Sequence, residues 1–152
     1  MEAGEAWAVD YAIELDEHWL TRTARIIGRS ARGVRSRVLA TDGNGNWLID
    51  GTAADELDGC LDVDLESSAM TNTFPVHREE LPQGHEASAP ATYVRAVDLG
   101  IERLEQSYRR LPDEDQNRCF DYRSPAFDFQ ARLVYDPAGL ALDYPGIAVR
   151  IL

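Results

Sequence analysis

An all-β fold is what the sequence predicts: an antiparallel sandwich, barrel or roll of about ten short strands. Apolar residues alternate with period two in several stretches, and Gly, Pro, Asn and Asp turn signals recur roughly every eight to twelve residues. The chain shows neither an obvious second domain nor an internal repeat, so 1–152 reads as one domain.

The cleanest strand comes first. Trp7, Val9, Tyr11, Ile13 and Leu15 fall two apart, which puts five large side chains on one face as a candidate core face. Next, WLTRTARIIGR (Trp19 to Arg29) and ARGVRSRVLATD (Ala31 to Asp42) alternate less perfectly, with a turn at Gly28 to Gly33 between them. DGNGN at Asp42 to Asn46 is hairpin chemistry because Gly and Asn tolerate positive φ, and the short strand WLID is closed by Asp50-Gly51. These elements form a meander. LPQGHEASAP (Leu81 to Pro90) reads as a loop, and ATYVRAVD and IERLEQSYRRL (Ile101 to Leu111) as a strand pair. After a polar loop come RCFDYRS, then FDFQARLVYD with Phe127, Phe129, Ala131, Leu133 and Tyr135 alternating, then the turn DPAG, then LALDY and AVRIL.

A chain of 152 residues suffices for a core that buries roughly 68–70% of the unfolded surface. It contains no Lys, so its 15 basic residues are all Arg, set against 27 acids for a net charge of -12. Such a surface repels phosphate backbones and argues against a nucleic-acid partner. The N-terminus carries acids where a secretory signal needs positive charge, and no window approaches the ~18–20 apolar residues of a membrane span. The expectation is a cytoplasmic protein without membrane insertion, in which Cys60 and Cys119 are buried free thiols.

The acids Asp58, Asp62, Asp64 and Glu66, with His77 nearby, invite a metal site. Zinc, however, wants more His or Cys than this chain holds, and a calcium loop wants a Gly-punctuated run of oxygen ligands. The plainer reading is a solvated acidic strand face, with no metal and no cofactor. No G-x-S-x-G elbow or G-x-G-x-x-G loop is present, and Cys60 has acidic neighbours that raise a thiol pKa. The expectation is therefore no catalytic residue. Thr71 to Pro75 offers two hydroxyls and an amide before a Pro-rigidified turn, followed by His77 and Arg78. Those groups suit the hydroxyls or carboxylates of a polar ligand, and the alternating Trp, Tyr, Phe and Ile faces suit the lining of an apolar cavity; against that, Thr and Asn bond backbone in turns and an aromatic strand face is usually core.

Four motifs in order carry a resemblance: WLIDG (Trp47 to Gly51), LDGCLDVDL (Leu57 to Leu65), TNTFPVHR (Thr71 to Arg78) and DYPG (Asp143 to Gly146). With these, and the EQSYRRL stretch (Glu105 to Leu111), the chain resembles a family of glycolipid-binding domains over essentially its whole length. The resemblance implies a spiral β-roll or half-barrel, a strongly curved antiparallel sheet similar to bacterial lipoprotein carriers, with a glycolipid or fatty-acyl ligand in its concavity. Thr71, Asn72 and Thr73 would bond head-group hydroxyls, Arg78 would pair an anionic group, Tyr144 would stack on a sugar, and His77, Asp62 and Asp64 complete the candidate set. Alternatively, Asn72 and Arg78 tie the turn to Asp62 or Asp64 and fix the fold. Family members usually begin with a further N-terminal hairpin, whereas this chain starts at what resembles the following strand, leaving an open sheet edge. A homodimer or other assembly through that edge is the alternative function, and a glycoconjugate hydrolase the third.

Overall fold

The computed structural model describes residues 5–151. Strands β1 (Trp7–Leu15), β2 (Thr21–Ser30), β3 (Gly33–Thr41), β4 (Trp47–Ile49) and β5 (Thr52–Ala53) form an antiparallel meander in chain order, as the turn chemistry predicts. In register, Val9, Tyr11 and Ile13 stand opposite Gly28, Ile26 and Ala24. The five alternating side chains of β1 are not all core, however. Val9, Ile13 and Leu15 pack on it, while Trp7 and Tyr11 remain exposed, because an end strand has a neighbour on one side only. The Asp42–Asn46 turn lays Gly45 against Gly59: the Gly59 N–H donates to the Gly45 carbonyl at 3.0 Å, and a Cβ on Gly45 would meet Gly59 backbone at 3.0 Å. That contact explains why the turn needs glycine at Gly45, whereas in the G-C-x-D segment Gly59 is favoured by its φ of +87°.

A second sheet joins β6 (Asp62–Leu65), β8 (Ala91–Val94) and β9 (Ile101–Leu104). Its β6–β8 pair is parallel, a departure from the all-antiparallel expectation. The chain between them is long enough for the crossover that parallel pairing requires. The largest sheet has the order β14-β13-β12-β11-β10-β7, from β7 (Glu86–Ser88), β10 (Ser107–Arg110), β11 (Arg118–Ser124), β12 (Phe129–Tyr135), β13 (Ala141–Tyr144) and β14 (Ala148–Val149). Strand β7 lies inside the stretch expected as a loop. The stretch Ile101 to Leu111, expected as one strand, divides between two sheets at Glu105 and Gln106. Buried Gln106 fixes the division: its carbonyl accepts the Ala89 N–H at 2.8 Å, and its side chain accepts the Tyr122 hydroxyl at 2.7 Å.

Little of the chain is helical. The main exception is the stretch expected as a Pro-rigidified turn: a 3-10 turn at Ala69–Asn72 runs into helix α1 (Thr73–Glu79). Ser68 starts it by accepting the Met70 N–H, and Pro75 is tolerated because an N–H in the first turn has no intrahelical partner. Among the described residues no helix is long and apolar enough to cross a membrane. Two cores result. One is largely aliphatic, around Leu39, Leu57, Val63, Leu65 and Leu99 with Trp47 and Phe74. The other is aromatic, around Tyr108, Phe120, Tyr122, Tyr135 and Tyr144.

A tyrosine-walled candidate binding pocket

Beside the aromatic core, β6 and the turn that follows it meet β8, β11 and β13 around a cavity of about 350 Å³. Asp64, Asn72, Tyr93, Tyr122, Ser124 and Tyr144, with Leu65 and Leu104, are its buried lining, and Glu66, Phe127 and Ile147 form an exposed mouth. The rings make a continuous wall. Phe129 and Tyr144 stack with centroids 6.0 Å apart, Tyr122 lies 6.0 Å from each, and Tyr93 is 5.3 Å from Phe127. Tyr11 of β1 reaches the mouth, its hydroxyl 2.8 Å from the Ser68 hydroxyl.

At the cavity floor Asp64 is 7% exposed. Burial pushes its carboxyl up to about 6, opposed by the Thr71 hydrogen bond and assisted by the Asp62 charge. The hydrogen count around Thr71 fits a protonated Asp64. The Thr71 Oγ1 accepts the Leu65 N–H at 3.1 Å and has a single hydrogen for two acceptors, Asp64 Oδ1 at 3.0 Å and the Ser68 carbonyl at 2.9 Å. A neutral Asp64 donates to Thr71, which donates onward to Ser68, and every group is met. An ionised Asp64 leaves one acceptor short. Burial also raises the pKa of Tyr93, Tyr122 and Tyr144, so these hydroxyls remain donors at neutral pH. Ser124 Oγ lies near the Tyr122 hydroxyl but is buried without a hydrogen-bond partner.

The structure sorts the eight candidate residues. Asp64, Asn72 and Tyr144 line the cavity. Thr71 sits behind it, holding Asp64. Thr73 is fully buried away from it, with Oγ1 unpartnered. Arg78 does not face the cavity to receive an anion: its guanidinium binds the Asp62 carboxylate and, at 3.2 Å, Glu79. Asp62 is 1% exposed, so the expected solvated acidic face is instead buried, with burial pushing Asp62 up to about 6 against the pull of Arg78. His77 stacks on Trp19, ring centroids 3.8 Å apart and 5° from parallel, and burial lowers its pKa. Gly139 is required below it, since a Cβ there would come 2.4 Å from Nε2. Asn72 does both jobs, lining the cavity while its Nδ2 donates to Tyr108 at 2.9 Å and its carbonyl accepts Tyr135 at 3.1 Å.

Sequence reasoning did not name Tyr93, Tyr122, Ser124 or Phe129 as cavity residues, because alternating aromatic faces fit a cavity lining and a core alike. The available signal was the tyrosines themselves, since each carries a hydroxyl that needs a polar partner wherever it is buried. Cys60 and Cys119 are free and buried, and burial pushes the Cys60 thiol up. Among the described residues no group of three or more His, Cys, Asp or Glu could hold a metal ion.

Fold and cavity together define an open all-β protein with room for one small organic molecule or head group. The chain belongs to the family described as "Putative glycolipid-binding", whose sequence profile matches residues 1–150. A crystal structure of a DUF1089 family protein from Pseudomonas aeruginosa superposes with a TM-score of 0.88 at 36% identity, covering 99% of this chain and 80% of that one. Comparison with curated proteins finds no match.

Proposed function

We propose that this chain is a non-catalytic binding module for an amphiphile of the glycolipid class, with the head group in the tyrosine-walled cavity and the tail leaving across Phe127 and Ile147. The observation that carries the reading is the cavity itself: about 350 Å³, aromatic on its walls, with Asp64 and an unpartnered Ser124 hydroxyl buried in its lining. Stacked rings beside a few convergent polar groups are how a pocket grips a small polar ligand. The volume lies at the small end of the roughly 300–1,000 Å³ of ligand sites, enough for a ring or a short chain but not for a whole lipid. Phe127 and Ile147 are 50% and 56% exposed, which offers a tail apolar surface at the mouth. Native mass spectrometry of the protein purified from its own host, followed by lipid extraction, tests this. A near-stoichiometric amphiphile is expected, lost in the cavity-filling variant Ala69→Phe; a bare mass contradicts the reading.

A second reading, hydrolysis of a glycoconjugate, draws on Asp64 and Glu66 sharing the cavity, one of them with a raised pKa. One Glu66 oxygen is already held by the Ala96 N–H at 2.7 Å, and binding needs no second carboxylate. Release of nitrophenol from 4-nitrophenyl glycosides by the wild type, and not by Glu66→Gln, would replace the binding reading.

A further inference from the structure

The cavity is one-sided in charge. Its two charged lining residues are Asp64 and Glu66, and among the described residues no basic side chain lines it. No cation is among the groups that act on Asp64, and Arg78, which meets the same strand, is engaged by Asp62 and Glu79. The groups acting on Asp64 are uncharged or of the same sign: Thr71 from the 3-10 turn, Asp62 from the same strand, and the hydroxyls of Tyr93, Tyr108, Tyr122, Tyr135 and Tyr144 from five strands of two sheets. Around this carboxylate stand aromatic rings, whose faces carry negative charge density. An anionic head group would meet the charges of Asp64 and Glu66 with no lining cation to offset them, and a neutral one would leave the ionised Asp64 uncompensated.

Resting on the cavity as the binding site, we infer that the head group it takes carries a protonated amine, held by the Asp64 carboxylate with Glu66 at the mouth and the ring faces of Tyr122 and Tyr144 around it. Carboxylate and ring faces together are the chemistry that recognises ammonium ions, and burial strengthens both contributions. The raised Asp64 gives the inference a pH signature. In the empty cavity the carboxyl holds its proton up to about pH 6, and the ammonium binds only the ionised form. Affinity is therefore level above pH 6 and falls as pH drops below it, because each binding event must displace a proton; between pH 7 and pH 5 the loss is about tenfold. An alkylammonium stays protonated throughout that range, so octylammonium is the probe with which the pH profile is read.

Four probes sharing an octyl chain test this on the full chain by calorimetric titration below their micelle concentrations: octylammonium, octyl 2-amino-2-deoxy-β-D-glucoside, octyl β-D-glucoside and octanoate. At pH 7 at least one amine probe should bind about tenfold tighter than octyl β-D-glucoside, with octanoate weakest, and the preference should collapse at pH 5. The tighter of the two amines identifies the source as an amino sugar or a simple amine, and either supports the inference. Asp64→Asn should bring the amine-to-glucoside ratio close to one, and Glu66→Gln should lower it less; the wild-type pH profile reports independently of whether either variant folds. Octyl β-D-glucoside binding as tightly as both amines, without pH dependence, would overturn the inference and leave the cavity reading standing. Saturable binding by none of the four would overturn both.

Discussion

The two cores of this protein are packed with different chemistry, and the difference locates the site. Around Leu39, Leu57 and Val63 the side chains are mostly hydrocarbon, and the Trp47 indole N–H among them is met by the Cys60 carbonyl at 2.8 Å. Around Tyr108, Tyr122, Tyr135 and Tyr144 each ring brings a hydroxyl that must find a partner. Three are met inside the protein: Tyr108 by the Asn72 amide, Tyr122 by Gln106 and Tyr135 by the Asn72 carbonyl. Tyr144 is held by the Tyr122 hydroxyl and lines open space, beside Asp64 and the unpartnered Ser124. A core that needs only density excludes a ligand, whereas a core whose polar groups outnumber their partners leaves a place for one.

That contrast can be broken at several points. The largest effect is expected from Arg78→Met, which strands Asp62 as a buried unpaired acid; urea unfolding at pH 7.5 should show a loss of about 3–5 kcal/mol, partly recovered in Asp62→Asn/Arg78→Met. Leu57→Ala in the aliphatic core should cost about 2–5 kcal/mol, by the same amount at pH 5 and pH 8, because it removes packing and no titrating group. Asn72→Ala leaves the Tyr108 hydroxyl buried without its partner and should cost about 1–3 kcal/mol in the same assay. The smallest change in stability, within about 0.5 kcal/mol, is expected for Phe127→Ala at the exposed mouth, although affinity for octyl β-D-glucoside should fall several-fold.

Much of this was legible in the sequence. Period-two alternation and turn residues placed the meander β1 to β4, though not the two-residue β5, and the strands β11 to β13, because those elements pair with their neighbours in sequence and local chemistry governs them. The parallel β6–β8 pair was not legible, since it joins segments separated by α1 and β7 and depends on tertiary contacts alone. The helix at Thr73–Glu79 was hidden by Pro75, read as a turn residue when its place in the first turn makes it compatible with a helix. At the site, the family motif directed attention to Thr71 through Arg78, and the structure assigns most of that stretch to holding the fold: Arg78 to Asp62, Thr71 to Asp64, Asn72 to two tyrosines. The cavity walls come from strands far away in sequence, which no local pattern links.

The measurement that decides whether Asp64 serves a ligand or the fold is the unfolding free energy of Asp64→Asn against wild type from pH 4 to pH 8. With its pKa raised from 3.8 to about 6 in the folded state, Asp64 contributes stability below about pH 4 that is lost as pH rises through 6. The variant, which keeps the shape without the buried charge, should therefore match wild type near pH 4 and exceed it by up to about 3 kcal/mol at pH 8. A functional group held against stability behaves that way. A variant less stable than wild type at pH 8 would mean that ionised Asp64 holds the fold together, and would contradict its assignment to the binding site.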